Sequence, residues 1–309
     1  MIKILKNTEN GLVTLHEPVS GAWINVISPS QGEMNVLQAM GISQDYLVYS
    51  LDIDERARTE RDGDLLILLR IPDYQGEKAD IPFTTIPLGI ILSEQYLTTV
   101  CIKENDILKK FASGQYRGLS TGKRYRFILQ ILLATANDYL NHLRQITRAV
   151  DILEDKLQLS TRNKEVLELL KYQKSLTLFT TALKSNELLL KRLQQSVMFK
   201  TYPEDEDLLE DVLTETQQAI EMTNIESNIL SSMMDAFASI ISNNLNGIMK
   251  FLASITIILS LPTMIASFLG MNINFPFNEQ HSMAFPLTLL LSLVVSLVVA
   301  FVFWKRDWL

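Results

Sequence analysis

Residues 251–269 read FLASITIILSLPTMIASFL, a run of nineteen residues without a charged side chain, and residues 284–304 read AFPLTLLLSLVVSLVVAFVFW, twenty-one more. A bilayer core about 30 Å thick needs roughly 20 helical residues to cross it. Both runs therefore predict membrane-spanning helices. The alternative, a pair of buried core helices, is disfavoured because uncharged runs of this length are unusual as neighbours in soluble domains.

Basic residues flank the two predicted spans on one side only. Lys250 precedes the first span and Lys305 and Arg306 follow the second, whereas the loop 270–283 contains no Lys or Arg. Because basic flanks mark the cytoplasmic side, we expect both termini in the cytoplasm and the loop outside. Pro262, inside the first span, frees a backbone carbonyl, which fits either a packing kink or a role in shaping a pore.

The composition of the 309-residue chain limits the remaining classes of function. A net charge of −7 and a pI near 5.1 argue against a nucleic-acid-binding surface, which would need a basic stripe. The single cysteine, Cys101, excludes an intrachain disulfide framework and a cysteine-based zinc site, and its apolar surroundings predict a buried core residue. The N-terminal sequence MIKILKNTENG lacks the apolar core of a signal peptide, so we expect the N-terminal region to remain in the cytoplasm.

The region before the spans divides into a mixed part and a helical part. Residues 1–112 alternate short apolar runs with turn signals, which predicts a strand-rich α/β layer. From Lys123 to Tyr202 there is neither Gly nor Pro, which predicts long helices with a break near 160–163. A helix covering about Asp205 to Phe268 follows from apolar residues at three- and four-residue spacing. The predicted strands are 2–5, 12–15, 23–27, 65–71, 88–92 and 97–102, and the predicted short helices are 30–40, stopped by Gly41, and 44–51.

Signatures of enzymes are weak. The sequence GLSTGKR at 118–124 has the wrong glycine spacing for a phosphate-binding loop and an Arg where a magnesium-binding Ser or Thr belongs, so we interpret it as a strand-to-helix turn. His16, His142 and His281 are far apart, without a metal-ligand partner at metal-site spacing. We expect structural roles for the first two, and a contribution of His281 to cation capture beside Glu279 stays open.

The loop after the first span opens with Gly270-Met271-Asn272, and the chain closes with Lys-Arg-Asp-Trp-Leu. With this tripeptide at the outer end of the first of two terminal spans, the sequence resembles the CorA family of magnesium transporters, which also includes the ZntB zinc transporters. The resemblance is clearest over 203–309. In the N-terminal region, 44–47 and 51–58, followed by 65–70, look like the usual run of the family.

The resemblance implies a fold and an assembly. It implies a homopentamer in a bacterial plasma (inner) membrane, in contact with lipid, whose subunits each have a cytoplasmic αβα sandwich, a long stalk helix and two transmembrane helices, mainly helical overall. The implied boundaries are 1–202 for the α/β domain with a helical hairpin, 203–248 for the stalk, 249–269 for the pore helix, 270–283 for the outer loop, 284–304 for the second span and 305–309 for the tail.

The resemblance also implies roles for residues of the pore. Asn272 would face the outer pore mouth, with Gly270 and Met271 shaping the turn. The family pattern N-x-x-M-K-x-L is matched at 246–252. This match implies a polar ring at Asn246 and a hydrophobic gate at Met249 and Leu252. The resemblance also implies that Asp235 and Thr263 line the pore.

The resemblance implies two further roles, for residues away from the pore. Asp211 matches a regulatory metal site, and Asp45 matches its partner on the neighbouring subunit.

The sequence departs from the family pattern in two places. The usual M-P-E after the tripeptide is replaced by FPFNE at 275–279. This displaces the acidic loop residue to Glu279, a candidate for weak cation capture. The basic tail is also thin.

The expected activity is uptake of Mg²⁺, with Co²⁺ and Ni²⁺ as further cargo, and it needs no enzyme activity or organic cofactor. A doubly charged ion gains about 4.6 kcal/mol per 100 mV of inside-negative potential. Mg²⁺ would be both the transported ion and the regulatory ion. Two alternatives stay open. One is a ZntB-like zinc transporter, with or without proton coupling, and the other is a membrane-anchored structural protein.

Overall fold

A computed structural model of the chain describes residues 1–8, 11–116, 118–159, 163–199, 202–271 and 284–308. It divides into two compact units, Met1–Met233 and Met234–Leu309. The strands of the first unit are β1 (Ile2–Thr8), β2 (Gly11–Leu15), β3 (Trp23–Ile27), β4 (Arg58–Asp62), β5 (Asp64–Tyr74), β6 (Phe83–Leu92) and β7 (Leu97–Cys101). The helices are α1 (Gln31–Ala39), α2 (Gln44–Leu51), α3 (Asp106–Ala112), α4 (Arg124–Leu159), α5 (Asn163–Gln195), α6 (Pro203–Leu269) and α7 (Ala284–Lys305).

The described strands form one mixed sheet in the order β2-β1-β3-β7-β6-β5-β4. Strand β1 pairs antiparallel with both β2 and β3, and β4 to β7 form an antiparallel meander. The two sets meet in one parallel pairing, in which Trp23 lies opposite Leu97 and Ile27 opposite Cys101. Cys101 is fully buried, as its apolar surroundings predict.

Two apolar clusters on opposite faces of the sheet make the αβα sandwich. One face packs against α1 and α2 through a cluster that includes Leu37, Leu47 and Leu66. The other packs against α3, α4, α5 and the start of α6 through a cluster that includes Phe127, Leu190 and Val212. Alternating residues of β5 face opposite sides, so both faces of this strand are buried. The predicted sandwich is confirmed.

Helix α1 begins after a serine cap and ends before a glycine, the two signals that mark helix ends in the sequence. Ser30 caps α1: its Oγ accepts from the N–H of Glu33, 3.3 Å away, and the Glu33 carboxylate accepts from the N–H of Ser30 at 2.8 Å. After α1, Gly41 has a φ of +92°, a conformation that stops a helix and favours glycine. The two predicted short helices, 30–40 and 44–51, are confirmed to within one residue.

Two elements escaped the sequence prediction. Strand β4 reads RTERD and pairs only with β5 at the edge of the sheet, where charged residues protect an open edge and remove the apolar signal of a strand. Helix α3 follows Asn105, whose side-chain oxygen accepts from the N–H of Leu108 at 2.9 Å. The segment 118–124 therefore joins α3 to α4. The prediction that it connects a strand to a helix was wrong, because the element before it is a helix.

The start of α6 is fixed by charge. Pro203 occupies the first turn, where a missing N–H is tolerated, and acidic residues follow it at the positive end of the helix dipole. The guanidinium of Arg126 in α4 donates to Asp205 and to Glu204, each at 2.6 Å. From there buried positions of α6 in the first unit recur every three or four residues, at Leu209, Val212, Thr216, Ala219, Thr223, Glu226 and Leu230.

In the second unit, α6 and α7 are long and apolar enough to span a membrane by length and composition. Only 6% of the most apolar window of α6, and none of that of α7, is buried inside the structure. Core helices of a soluble protein would be largely buried, so the alternative of two core helices does not fit these helices.

Candidate functional site

One face of α6 in the second unit carries mainly small and polar side chains, all of them exposed. Its residues alternate three and four positions apart, so they lie along one side of the helix. Each is exposed, and Asp235 is the only charged member. We call this row the polar face of α6; it consists of Asp235, Ser239, Ser242, Asn246, Met249, Ala253, Thr256, Ser260, Thr263 and Ser267.

The hydroxyl groups of the polar face are oriented by the helix itself. Thr256 donates to the carbonyl oxygen of Leu252 at 2.8 Å, Ser260 to that of Ile257 at 2.9 Å, and Thr263 to that of Leu259 at 3.1 Å. A hydroxyl that gives its one proton to its own helix keeps its lone pairs as acceptors for other groups. The outer half of the polar face therefore offers neutral oxygen acceptors.

The inner part of the polar face contains the residues of the N-x-x-M-K-x-L pattern. The Met249 and Leu252 side chains are each 56% exposed, and Asn246 is exposed as well. Large apolar side chains that contact little of their own chain are suited to packing against other copies or to closing a pore. Leu252 lies about 60° around the helix from Met249, at 100° per residue, on the edge of the same face.

Pro262 lies beside this face, next to α7. Because proline lacks an N–H, the carbonyl of Ile258 has no partner one turn on. Ile258 and Pro262 line a groove of about 430 Å³ that also contains Ser292 and Ser296 of α7. The structure thus connects Pro262 with the packing of α6 on α7, while its neighbour Thr263 belongs to the polar face.

The first two residues of the GMN tripeptide are described and the third is not. Gly270 donates its N–H to the carbonyl oxygen of Ala266 at 3.0 Å, and Met271 donates to that of Phe268 at 3.3 Å, so both continue the last turn of α6. The Met271 side chain is 50% exposed. Asn272, Glu279 and His281 lie outside the described residues.

The two aspartates expected at a regulatory site both lie in the first unit. Asp45 is in the first turn of α2 and Asp211 is on α6, and both side chains are exposed. Next to Asp211, the side chain of Val212 is buried in the apolar cluster that α6 shares with the other helices and the sheet, which directs Asp211 outward. The described part of the chain contains no group of three or more His, Cys, Asp or Glu residues placed to hold a metal ion.

The segment 118–124 and His142 have structural surroundings. The Arg124 guanidinium donates to the carbonyl oxygens of Ser93 and Glu94, at 2.5 and 2.8 Å, and so ties the start of α4 to the sheet. The His142 ring stacks on Tyr74, with 6.4 Å between ring centroids. These contacts account for the basic residue of the loop and for this histidine without a phosphate or a metal.

Comparison with known proteins decides the family. The family model described as CorA-like Mg²⁺ transporter protein matches residues 20–306. The chain belongs to the CorA family. Members of this family are channels or transporters rather than enzymes, so membership identifies the chain as a membrane transporter of divalent cations and confirms the resemblance seen in the sequence.

Two CorA relatives are similar over most of their length. The cobalt/magnesium transport protein CorA of Methanocaldococcus jannaschii is 28% identical over 298 residues, which cover 93% of this chain and 91% of that protein. The protein of the same description from Thermotoga maritima is 25% identical, covering 93% and 83%. The complete structure of the M. jannaschii CorA magnesium transporter superposes with a TM-score of 0.86 and 25% identity, covering 100% and 99%.

Sequence reasoning identified Asn246, Met249, Thr263 and Asp235 but missed the other hydroxyls of the polar face. Thr256, Ser260 and Ser267 carried a readable signal, because they continue the same three- and four-residue spacing through the first CorA span. They are hidden when the span is judged by its apolar content alone.

Proposed function

We propose that the chain is the subunit of a homopentameric channel that takes Mg²⁺ into the cell down the membrane potential. The observation that supports the proposal is the polar face of α6, whose exposed residues include hydroxyl and amide oxygen acceptors along a helix that is otherwise apolar enough to span a membrane. Copies of this face arranged around an axis would line a path for a cation.

Neutral acceptors suit a hydrated ion. Mg²⁺ gives up its water reluctantly and usually keeps several waters when it binds. The hydrogens of those waters point away from the ion, so groups that recognise the hydrated ion must accept hydrogen bonds. Thr256, Ser260 and Thr263 are oriented as acceptors, and Asn272 would add amide oxygens at the outer mouth, shaped by Gly270 and Met271.

The inner end of the path would contain the gate. Rings of Met249 and Leu252 would close it by excluding water, next to the polar ring of Asn246, and Asp235 would attract the cation further in. The membrane potential supplies the driving force, about 4.6 kcal/mol per 100 mV for a divalent ion. Basic flanks at Lys250 and Lys305 support a cytoplasmic location for both termini, and lipid would surround α7, with the bacterial plasma membrane as the expected location.

Regulation by internal Mg²⁺ is part of the proposal. Asp45 and Asp211 are both exposed and available to a neighbouring subunit. Facing carboxylates repel each other unless a cation bridges them. Mg²⁺ bound between Asp211 of one subunit and Asp45 of the next would hold the subunits together and keep the gate shut when the cell is replete.

Zinc transport is the competing activity within the family. Zinc prefers nitrogen and sulfur ligands, with carboxylates as a further choice. The described polar face offers hydroxyls and one amide, with only the thioether of Met249 and the carboxylate of Asp235 beyond them. This favours hard, hydrated cations such as Mg²⁺, with Co²⁺ and Ni²⁺ as secondary cargo.

Flux into proteoliposomes tests the proposal. The purified protein is reconstituted, an inside-negative potential is imposed, and uptake of Mg²⁺, Co²⁺, Ni²⁺ and Zn²⁺ is followed with dyes inside the vesicles. We expect Mg²⁺ uptake that Asn272→Ala abolishes and that Asn274→Ala, an amide change two residues away, leaves in place. Uptake of Zn²⁺ alone would establish the competing activity, and absence of any flux would leave only a structural role.

A further inference from the structure

Ser254 stands out on α6 because its surroundings differ from those of its neighbours. Throughout residues 238–271, all of which the structure describes, Ser254 is the one residue that is fully buried. Its hydroxyl donates to the carbonyl oxygen of Lys250 at 2.8 Å and reaches the carbonyl oxygen of Trp308 at 3.4 Å. A residue after the end of α7 therefore covers α6 at this point.

The chain reverses direction after α7 to bring Trp308 there. Trp308 donates its N–H to the carbonyl oxygen of Phe303 at 3.0 Å, Asp307 donates to that of Trp304 at 3.2 Å, and Asp307 has a φ of +54°. These are the two hydrogen bonds and the left-handed residue of a Schellman motif. We call the segment Arg306–Trp308 the α7 hook.

The hook is built from side chains as well as backbone. The Phe303 and Trp308 rings stack with 5.4 Å between centroids and 15° between planes, which is the apolar contact that commonly accompanies this motif. Glycine is the usual left-handed residue, but here the position is held by Asp307, which adopts this conformation more readily than most residues with a side chain. The hook is thus a specific, ordered turn.

The hook contacts α6 on the side opposite the gate residues. At 100° per residue, Ser254 lies about 140° around the helix from Met249 and about 160° from Leu252. If Met249 and Leu252 face the axis of a channel, Ser254 and the hook lie behind them. A ring of such helices widens at the gate when the segment around Met249 and Leu252 in each α6 moves outward, toward the hook.

We propose that the α7 hook is a positioning device that backs the gate and favours its closed state, with Ser254, Asp307 and Trp308 as positioning residues. This inference rests on the proposed channel function. The hook is a contact within one subunit, and it acts together with the Mg²⁺ proposed to bridge neighbouring subunits. Undocking the hook frees the segment of α6 around Met249 and Leu252 to move outward. The channel then needs more internal Mg²⁺ to close.

A matched pair of substitutions at one position tests the hook. Asp307→Gly and Asp307→Val both remove the carboxylate, but glycine suits the left-handed conformation and a β-branched residue is strained in it. In patches of giant liposomes containing the full-length protein, the Mg²⁺ concentration at the cytoplasmic side that half-closes the channel is measured. Asp307→Val should raise it by about 5- to 30-fold, and Asp307→Gly should leave it at the wild-type value.

The remaining outcomes overturn the inference. An unchanged half-closing concentration in both variants removes the hook from gating, and an equal shift in both assigns the effect to the lost carboxylate. If Asp307→Val does not assemble, Ser254→Leu enlarges the fully buried side chain that Trp308 covers, undocks the hook and should give the same shift; an unshifted response then refutes the inference. A wild-type protein without Mg²⁺ current contradicts the channel function itself, so the two failures are distinguishable.

Discussion

Gly89 of β6 and Ser50 of α2 are in such close contact that a Cβ atom on Gly89 would stand 1.8 Å from the Ser50 Oγ and 2.5 Å from its Cβ. Ser50 is fully buried, and its hydroxyl donates to the carbonyl oxygen of Tyr46 at 2.6 Å, so it has no room to yield. The absence of a side chain at position 89 therefore sets how closely α2, which carries Asp45, approaches the sheet.

Gly89→Ala should displace α2 and destabilise the first unit. Overpacking of this kind costs about 1–3 kcal/mol, which corresponds to a fall of roughly 2 to 12 °C in the thermal midpoint for a unit of this size. Thermal unfolding of the full-length protein in detergent measures it. Gly32→Ala is the matched control, because a Cβ at Gly32 meets no atom within 4 Å and alanine favours a helix. Equal midpoints for the two variants would contradict the close contact.

Asn186 of α5 completes the edge of β5. Its side-chain oxygen accepts from the N–H of Arg70 at 3.0 Å and its amide donates to the Arg70 carbonyl at 2.8 Å. Strand β4 begins at Arg58, opposite Leu68, and so leaves Arg70 uncovered. The side chain takes the place that a strand residue opposite Arg70 would have, and Tyr139 donates to the same carbonyl at 3.0 Å.

Asn186→Leu should therefore cost about 1–3 kcal/mol, because it leaves a partly buried backbone N–H and carbonyl without their Asn186 partner. Chemical denaturation of the full-length protein measures the loss. Asn141→Leu, at an exposed position on α4, is the control and should have little effect. If both variants unfold at the same denaturant concentration, the side chain of Asn186 does not support the strand.

Glu33 links the cap of α1 to pH. Hydrogen bonds from the N–H of Ser30 and from the N-terminal amine lower the pKa of Glu33 from 4.5 to about 2. Because the folded pKa is depressed, the ionised carboxylate contributes stability above pH 4.5, and that contribution is lost as pH falls toward 2. Glu33→Gln should lower the thermal midpoint at pH 7, and the difference from wild type should disappear between pH 4.5 and 2. A difference that persists to pH 2 would assign the effect to packing.

Removal of the proposed regulatory carboxylates should keep the channel open. Asp45→Ala combined with Asp211→Ala removes both sides of the proposed bridge, so Mg²⁺ uptake should continue at internal concentrations that stop the wild type. Dye-loaded proteoliposomes prepared with increasing internal Mg²⁺ give the measurement. Asp151→Ala combined with Asp155→Ala makes the same change of charge at two exposed helical positions and should close normally. Normal closure of the first pair would remove these aspartates from regulation.

Thr256→Val should slow Mg²⁺ uptake without altering the fold. Valine has nearly the same shape but lacks the oxygen acceptor, and one hydrogen bond of about 1 kcal/mol corresponds to roughly a fivefold change in rate. Thr288→Val on α7 removes a hydroxyl that likewise donates to its own helix, at 2.8 Å from the carbonyl oxygen of Phe285, and should transport as the wild type does. Equal rates for the two variants would show that the hydroxyl at 256 does not meet the ion.

The elements predicted from sequence are those with strong local signals. The runs around Leu65–Ile71 and Trp23–Ile27 are largely apolar, and the structure confirms both as strands. The edge strand at Arg58–Asp62 has no such signal, because its residues are charged and its conformation depends on pairing with β5. Sequence alone places Asn246 and Met249 on one helix face, because three- and four-residue spacing is enough for that.

The remaining parts depend on contacts between distant positions. The pairing of Asn186 with Arg70 spans 116 residues and that of Ser254 with Trp308 spans 54, and no periodicity in the sequence marks either one. The left-handed conformation of Asp307 likewise follows from the stacking of Phe303 on Trp308. An isolated aspartate gives no such signal, since it is equally common in ordinary turns.

The single parallel pairing of β3 with β7 has a consequence for synthesis on the ribosome. Trp23 finds its partner, Leu97, only 74 positions further along the chain, which takes about 4 to 15 s to translate. Until then, the β2-β1-β3 part of the sheet exposes the edge of β3, whose residues from Trp23 to Val26 are at most 2% accessible in the folded chain. An unpaired apolar edge is a template for wrong partners, so the nascent chain is open to mispairing along β3 during this interval.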